Sequence, residues 1–340
     1  MNPKHFMLMI VALLLAIVAD ARNADGTLGL IRVPNDGFPA TVLPGQQFDA
    51  VLLQEATLSI ETPAGEVPLQ ATWKQRPGGR VAGKVSIPDS VAPGLYTLKA
   101  VSATSTDVSV RSVWVTPNIP RSYVLAHITD THIGSGRHKR TSEEIFTDVI
   151  AALNKSEATC VVVTGDVTEN GAFEQYQHLV QLLNTITLPT FVCAGNHDRD
   201  GLNYEAFFEP HVYSFRVGED AYLSYDTKDF AVAPGIGEQD TELEIQRRAI
   251  KSARWSIGLS HRYETSQGMR SQLILFVDNP LDYLIFGHWH RENRPNEQEG
   301  PWGTTPYTVT PAAVNGSMRL FDIGPGGIEK RPFEKVAAIE

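Results

Sequence analysis

The chain has 340 residues, enough for two domains, and its 42% hydrophobic and 20% charged content is ordinary for a folded globular protein. Its net charge of −10 excludes a broad nucleic-acid-binding surface, because neutralising a phosphate backbone needs clustered Lys and Arg. A small phosphorylated substrate held by cations stays compatible with that charge.

The first element is a targeting segment. Lys4 and His5 precede the apolar run FMLMIVALLLAIVA at 6–19, and Ala19-Asp20-Ala21 matches an A-x-A cleavage site. The run is shorter than the roughly 20 residues a spanning helix needs. Residues 1–21 therefore read as a signal peptide removed after Ala21, with no membrane span left in the mature chain and a periplasmic or secreted destination. The two cysteines, Cys160 and Cys193, are expected free and buried, at different heights and on opposite faces of neighbouring strands.

Residues 25–116 alternate short β-rich runs with turns, at 40–53, 56–69, 80–88, 94–102 and 107–115. That spacing predicts a small all-β sandwich of immunoglobulin-like or fibronectin-like type, a structural or docking module without a reactive cluster. A short linker follows at 117–121. YVLAHITD (123–130) then reads as a buried strand. TSEEIFTDVIAALNK (141–155) reads as a helix opened by a Thr141–Glu144 capping box. Strand 158–166, helix 172–185 and strand 190–196 complete a β-α-β-α-β unit, the start of a parallel sheet whose ligands bind beyond the strands' carboxyl ends. The domain is expected over 122–325, with a tail at 326–340.

Those carboxyl ends carry the chemistry. Asp130-Thr131-His132, Gly165-Asp166, Gly195-Asn196-His197-Asp198, His261 and Gly287-His288-Trp289-His290 each close an apolar run. Asp130 and His132, and again His288 and His290, are two apart, so in extended chain each pair projects to one side. Carboxylate, imidazole and amide oxygen together suit Mn, Fe or Zn. Eight candidate ligands are too many for one ion and right for two sharing a carboxylate. One His at a strand end is ordinarily structural; five motifs in this order are not explained that way. His127, an odd number of residues from Asp130, should face away. His138, His178 and His211 lack such a setting and read as structural or exposed.

In this order D-x-H, G-D, G-N-H-D, H and G-H-x-H resemble the calcineurin-like metallophosphoesterase superfamily, over about 121–325. The resemblance implies a four-layer αββα sandwich, an α/β fold, here preceded by the all-β module. It implies Asp130, His132 and His290 on a first metal, Asn196, His261 and His288 on a second, and Asp166 bridging. His197 would be a catalytic non-ligand, with Asp198 as its hydrogen-bonding orienter. Arg199 and Asp200 read as rim residues, Arg199 placed to touch a phosphate. The implied reaction is phosphodiester hydrolysis by a metal-bridging hydroxide, with His197 as general acid. The alternatives are a phosphomonoesterase with the same site and a non-catalytic surface protein built on the β module. Purple acid phosphatases carry Tyr three residues after the bridging Asp; Glu169 stands there, so their iron–tyrosinate site is not expected. His261-Arg262-Tyr263 departs from the H-H-P or H-x-P of many relatives. GDVTENG (165–171) looks more like the class III cyclic-nucleotide phosphodiesterase branch than the protein-phosphatase branch. Substrate identity, native metals and oligomeric state are left open.

Overall fold

The computed structural model describes residues 23–118, 121–226, 239–262, 273, 280–293 and 304–340. The signal segment and Tyr263 lie outside the described residues.

Eight strands build the N-terminal module: β1 (Ile31–Val33), β2 (Ala40–Val42), β3 (Gln47–Leu52), β4 (Thr57–Thr62), β5 (Gly65–Gln75), β6 (Val81–Ser86), β7 (Gly94–Val101) and β8 (Thr106–Val115). They form one hydrogen-bonded path, β1-β3-β6-β5-β4-β7-β8-β2. The long β5 pairs with β4 through its first half and with β6 through its second, which folds the path around a core of Phe48, Ile60, Val85, Leu98 and Val113. Alternation along β3 and β6, buried on every second residue, is what the sequence pattern required. The β module is present; its immunoglobulin-like label rests on the sequence pattern alone.

The rest of the chain stacks two sheets between helices. In the first sheet β9 (Tyr123–Ile128), β10 (Cys160–Thr164) and β11 (Thr190–Cys193) run parallel in the order β11-β10-β9. Helices α1 (Ser142–Leu153) and α2 (Phe173–Leu183) make the crossovers. The expected capping box opens α1: Thr141 accepts from the Glu144 N–H, and the Glu144 carboxylate accepts from the Thr141 N–H. The second sheet is β12 (Tyr213–Val217), β13 (Asp220–Ser224), β14 (Ser256–Leu259), β15 (Tyr283–Phe286) and β16 (Tyr307–Val309), parallel from β13 onward. The helix α3 (Asn203–Phe207) leads from the first sheet to the second, and α4 (Gln239–Ile250) covers the second.

Three apolar layers hold this stack. Ile128, Val161, Val163, Phe146, Val149, Leu179 and Leu183 join the first sheet to α1 and α2. Leu125, Val162, Phe191, Phe215, Tyr222, Ile257 and Ile285 fill the space between the sheets. Leu223, Leu284, Phe286, Leu243 and Ile250 join the second sheet to α4. The buried strands are apolar on both faces, as parallel strands covered on both sides must be.

Two expectations need correction. The segment beyond 325 is not a tail: after β17 (Ser317–Gly324), β18 (Gly327–Lys330) and β19 (Glu334–Lys335) both pair with β17, which itself lies antiparallel to β9. The cysteines are free and buried as expected, yet both point into the inter-sheet core. Register explains this: Thr164 pairs with Cys193, so Cys160 and Cys193 stand four positions apart, an even number and hence the same face. That offset, about 13 Å of strand, keeps them unpaired.

Candidate metal centre

Every motif lies at the carboxyl end of its strand, and the parallel directions bring all five ends to one side. The chain does not reach them in extended form, as the two-residue spacing predicted. Asp130, His132, Asp166, His288 and His290 all have left-handed backbone, with φ of 54°, 46°, 47°, 70° and 56°. Arg111 is the one other non-glycine residue with positive φ among the described residues. Such conformations cost about 1–3 kcal/mol each and persist where surrounding bonds enforce them. Here Asp130 donates its N–H to the Gly165 carbonyl and His132 to the Asp166 carbonyl, both at 3.0 Å, while Val314 donates to the Asp130 carbonyl. Each strand end is thus turned sharply and tied to its neighbour.

Three groups of donors result among the described residues: Asp130, His132 and His290 first, Asp166, His261 and His288 second, and His132, Glu169 and His197 third, which shares His132 with the first. In the first, His290 Nε2 lies 3.1 Å from both Asp130 Oδ1 and His132 Nε2. In the second, His261 Nε2 lies 2.9 Å from Asp166 Oδ2. Asp166 Oδ2 also lies 3.9 Å from His132 Nε2, and Asp130 Oδ1 lies 3.8 Å from His261 Nε2, so both carboxylates face both of these groups. Ligands at about 2.1 Å from a cation stand roughly 3.0–3.4 Å from one another in octahedral or tetrahedral shells. The observed spacings are close to those edges. Asn196 Oδ1, Asp130 Oδ1 and His261 Nε2 are buried without a well-aligned hydrogen bond. Orphaned polar atoms of this kind cost about 1–3 kcal/mol, and a cation among them would satisfy all three.

The electrostatics point the same way. Burial alone would raise the Asp130 carboxyl, but His261, His132 and His290 hold it below the usual carboxylate range. Burial alone would depress His261, but Asp166 and Asp130 outweigh it and push the imidazole up to about 9. Without an ion, the site gathers protons in place of cations.

His197 stands outside the first two groups and beside His132 and Glu169 in the third. Its Nδ1 lies 2.6 Å from the Glu169 carbonyl, which can only accept, so Nδ1 carries the proton and Nε2 is left to face outward. This corrects the role expected of Asp198. The Asp198 carboxylate is fully buried and accepts from the N–H groups of Val167, Thr168 and Gly195 and from the Thr168 hydroxyl. It ties the Gly-Asp loop to the Gly-Asn-His-Asp loop and does not touch His197. Burial, then the neighbouring Asp166 charge, pushes its carboxyl up.

Glu169 is the residue that sequence reasoning missed. It was noted only as the replacement for a tyrosine, yet its Oε2 lies 2.9 Å from His132 Nδ1 and its carbonyl orients His197. Its place three residues after Asp166 was the available signal. Arg199 is not an open rim residue. Its side chain is 8% exposed and ion-paired with Asp226, with Glu205 at 3.5 Å and His211 beside it. Asp200 is exposed, as a rim residue should be. His127 faces away as expected, between Thr310 and Thr164 hydroxyls at 2.7 Å each, and burial pushes it down to about 3. His138 binds Asn315, His178 is exposed near Glu143, and His211 is buried against Glu205.

Residues 123–292, or 170 of 340, match the family described as Calcineurin-like phosphoesterase. The chain is 21% identical over 186 residues to a protein of Vesicomyosocius okutanii subsp. Calyptogena okutanii named "Probable cyclic nucleotide phosphodiesterase", covering 50% of this chain and 79% of that one. It is 25% identical over 191 residues to the 3',5'-cyclic adenosine monophosphate phosphodiesterase CpdA of Escherichia coli K12, covering 49% of this chain and 70% of the relative. It is 37% identical over 81 residues to the glycerophosphodiester phosphodiesterase GpdQ of Enterobacter lignolyticus, covering 22% of this chain and only 29% of that protein. Among solved structures, the purple acid phosphatase PPD1 of yellow lupin aligns over 88% of this chain and 66% of its own, with 14% identity and a TM-score of 0.49.

Proposed function

Because this chain belongs to the calcineurin-like phosphoesterase family, we propose that it is an exported phosphodiesterase whose two metal ions share Asp166. That it is a metal-dependent phosphoester hydrolase follows from the family; the number of ions, the diester substrate and export are our reading. One observation carries it: two carboxylates lie between the donor groups, Asp166 Oδ2 at 2.9 Å from His261 Nε2 and 3.9 Å from His132 Nε2, and Asp130 Oδ1 at 3.1 Å from His290 Nε2 and 3.8 Å from His261 Nε2, and the family resemblance gives the bridge to Asp166.

Asp130, His132 and His290 would hold one ion, Asn196, His261 and His288 the other, with Asp166 between them. Manganese, iron or zinc suits this nitrogen and oxygen set. When bound, the pair supplies Lewis-acid polarisation of the phosphoryl group and a water acidified toward neutral pH. The chain's own residues do the rest. Asp198 keeps the Gly-Asp and Gly-Asn-His-Asp loops in register, so Asp166 and Asn196 stay at fixed separation. Glu169 Oε2 lies 2.9 Å from His132 Nδ1 without an aligned hydrogen bond, and a small turn of the carboxylate would hold that nitrogen with Nε2 toward the ion. The Glu169 carbonyl holds His197 by Nδ1, so a proton at Nε2 can be delivered to the departing alkoxide. Arg199, locked by Asp226 and Glu205, braces the loop and is not assigned to substrate.

A diester is preferred to a monoester because the relatives with the widest coverage are named phosphodiesterases. The test is elemental analysis of the mature protein together with turnover of bis(p-nitrophenyl) phosphate and p-nitrophenyl phosphate. We expect two ions per chain and faster diester cleavage. Faster monoester cleavage would favour the phosphomonoesterase, and a metal-free, inert protein would favour a surface-binding role.

A further inference from the structure

The segment that carries His288 and His290 is pinned at both ends, by different parts of the fold. At its entry, Gly287 donates its N–H to the His261 carbonyl at 3.0 Å, and His288 donates its N–H to Asp130 Oδ2 at 2.9 Å. At its exit, Glu292 Oε1 accepts from Arg319 Nη2 on β17 at 2.7 Å and from Lys330 Nζ on β18 at 3.1 Å. The next side chain, Asn293, is buried and accepts from the Val309 N–H on β16 at 3.0 Å. Two consecutive residues therefore tie the segment to the first sheet and to the second.

The tie to the first sheet is set by a buried charge. Arg319 is the largest of the fully buried side chains, at 1% exposure. Its Nη1 donates to the Arg331 carbonyl and its Nη2 to Glu292. A guanidinium in that setting is costly without a counter-charge, so it draws the Glu292 carboxylate to one place. Two residues earlier, His290 has left-handed backbone at φ 56°. A residue with a Cβ keeps that conformation where its surroundings enforce it. For His288, at φ 70°, the bond to Asp130 does so. For His290 the fixed point that follows is Glu292. Two residues of chain span at most roughly 7 Å, so a tether there leaves the His290 backbone little room to relax.

We propose that Glu292, held by Arg319 and Lys330, is a positioning residue for His290. Strands β17 and β18, far along the chain from the motifs, are then part of the support of the metal centre. The proposal rests on the reading above that Asp130, His132 and His290 hold an ion.

The experiment is a calorimetric Mn²⁺ titration of the metal-stripped mature protein, native and as Glu292→Ala and Glu292→Gln. Glu292→Ala should weaken one of the two ions about 5- to 150-fold, as expected when one left-handed residue is left to relax. Glu292→Gln should lose less, because its amide oxygen can still accept from Arg319. Coupling separates positioning from general support. In a His290→Ala background Glu292→Ala should have no further effect on Mn²⁺ affinity; in a His288→Ala background it should keep its full effect. If Glu292→Ala does not fold, Glu292→Gln carries the same comparison. Equal effects in the two backgrounds would make Glu292 a general support of the fold and overturn the proposal, and so would native Mn²⁺ affinity in Glu292→Ala. A native protein that binds no Mn²⁺ would defeat the metal-centre reading itself, and this proposal with it.

Discussion

Two histidines show how single residues are assigned their chemistry by what holds their other nitrogen. His197 is held at Nδ1 by a carbonyl, so its Nε2 is free for substrate. His197→Ala should keep the metals and lose about 10²–10⁴-fold in turnover of alkyl esters, with much less loss for p-nitrophenyl esters, whose leaving group needs little protonation. Rates for both ester types and metal content in the same preparation check this; equal losses would leave His197 as a phosphate ligand only. His132 has the Glu169 carboxylate 2.9 Å from its Nδ1, close but not aligned as a hydrogen bond. Glu169→Ala should weaken the first ion about 10–100-fold, the usual consequence of removing a carboxylate behind a ligating imidazole. Competition with a chelator measures it, and unchanged affinity would remove Glu169 from the site. Sequence spacing named Asp130, His132, Asp166, Asn196, His261, His288 and His290; the structure gathers Asp130, His132 and His290 in one group and Asp166, His261 and His288 in another. It could not place Glu169, Asp198 or Arg199 correctly, because a side chain's partners come from other strand ends. Asp198 is adjacent to His197, yet its acceptors are filled by Val167, Thr168 and Gly195 from two loops.

At the scale of elements, the β-α-β-α-β unit and the capping box of α1 were legible because periodicity and local capping are short-range. The left-handed turns after β9, β10 and β15 were not, because they are imposed by cross-strand bonds such as Asp130 N–H to Gly165 and Ala313 N–H to Thr129. Nor were β18 and β19, whose exposed polar segments read as a tail until β17 gives them an edge to pair with. The tight crossing of two strand ends gives a testable consequence. A Cβ on Gly195 would fall on the Asp166 backbone nitrogen and Oδ1. Gly195→Ala should therefore displace the shared carboxylate, costing about 1–3 kcal/mol in stability and most of the bound metal. Thermal unfolding with and without metal checks it; a fully loaded variant of native stability would mean that the strand ends have room to move.

Across the whole molecule, the β module is more than an appendage. Gly37 accepts from the Val192 N–H on the outer edge of β11, Arg111 binds the Leu183 and Leu188 carbonyls, Arg32 pairs with Glu209, and Phe38 stacks within 4.1 Å of Tyr213. It covers a sheet edge and braces the segment carrying Glu205 and His211 behind Arg199. The charge placement also shapes stability against pH. His261 is raised to about 9 in the folded protein, so in the metal-free state its contribution is fully present below the unfolded value near 6.5 and is lost as pH rises through about 9. His127, depressed to about 3, acts oppositely: its contribution is present above about 6.5 and is lost as pH falls toward 3. Denaturant titrations of metal-free protein should therefore peak near pH 6–7, and His127→Gln should flatten the acid side by one proton. The central claim, that two ions share one carboxylate, is tested most directly by counting metal in native protein and in Asp166→Asn after dialysis. The account predicts two ions per chain in the native protein and loss of both in the variant, since the Asp166 carboxylate lies 2.9 Å from His261 Nε2 and 3.9 Å from His132 Nε2. Two ions held as tightly by Asp166→Asn as by the native protein would contradict it.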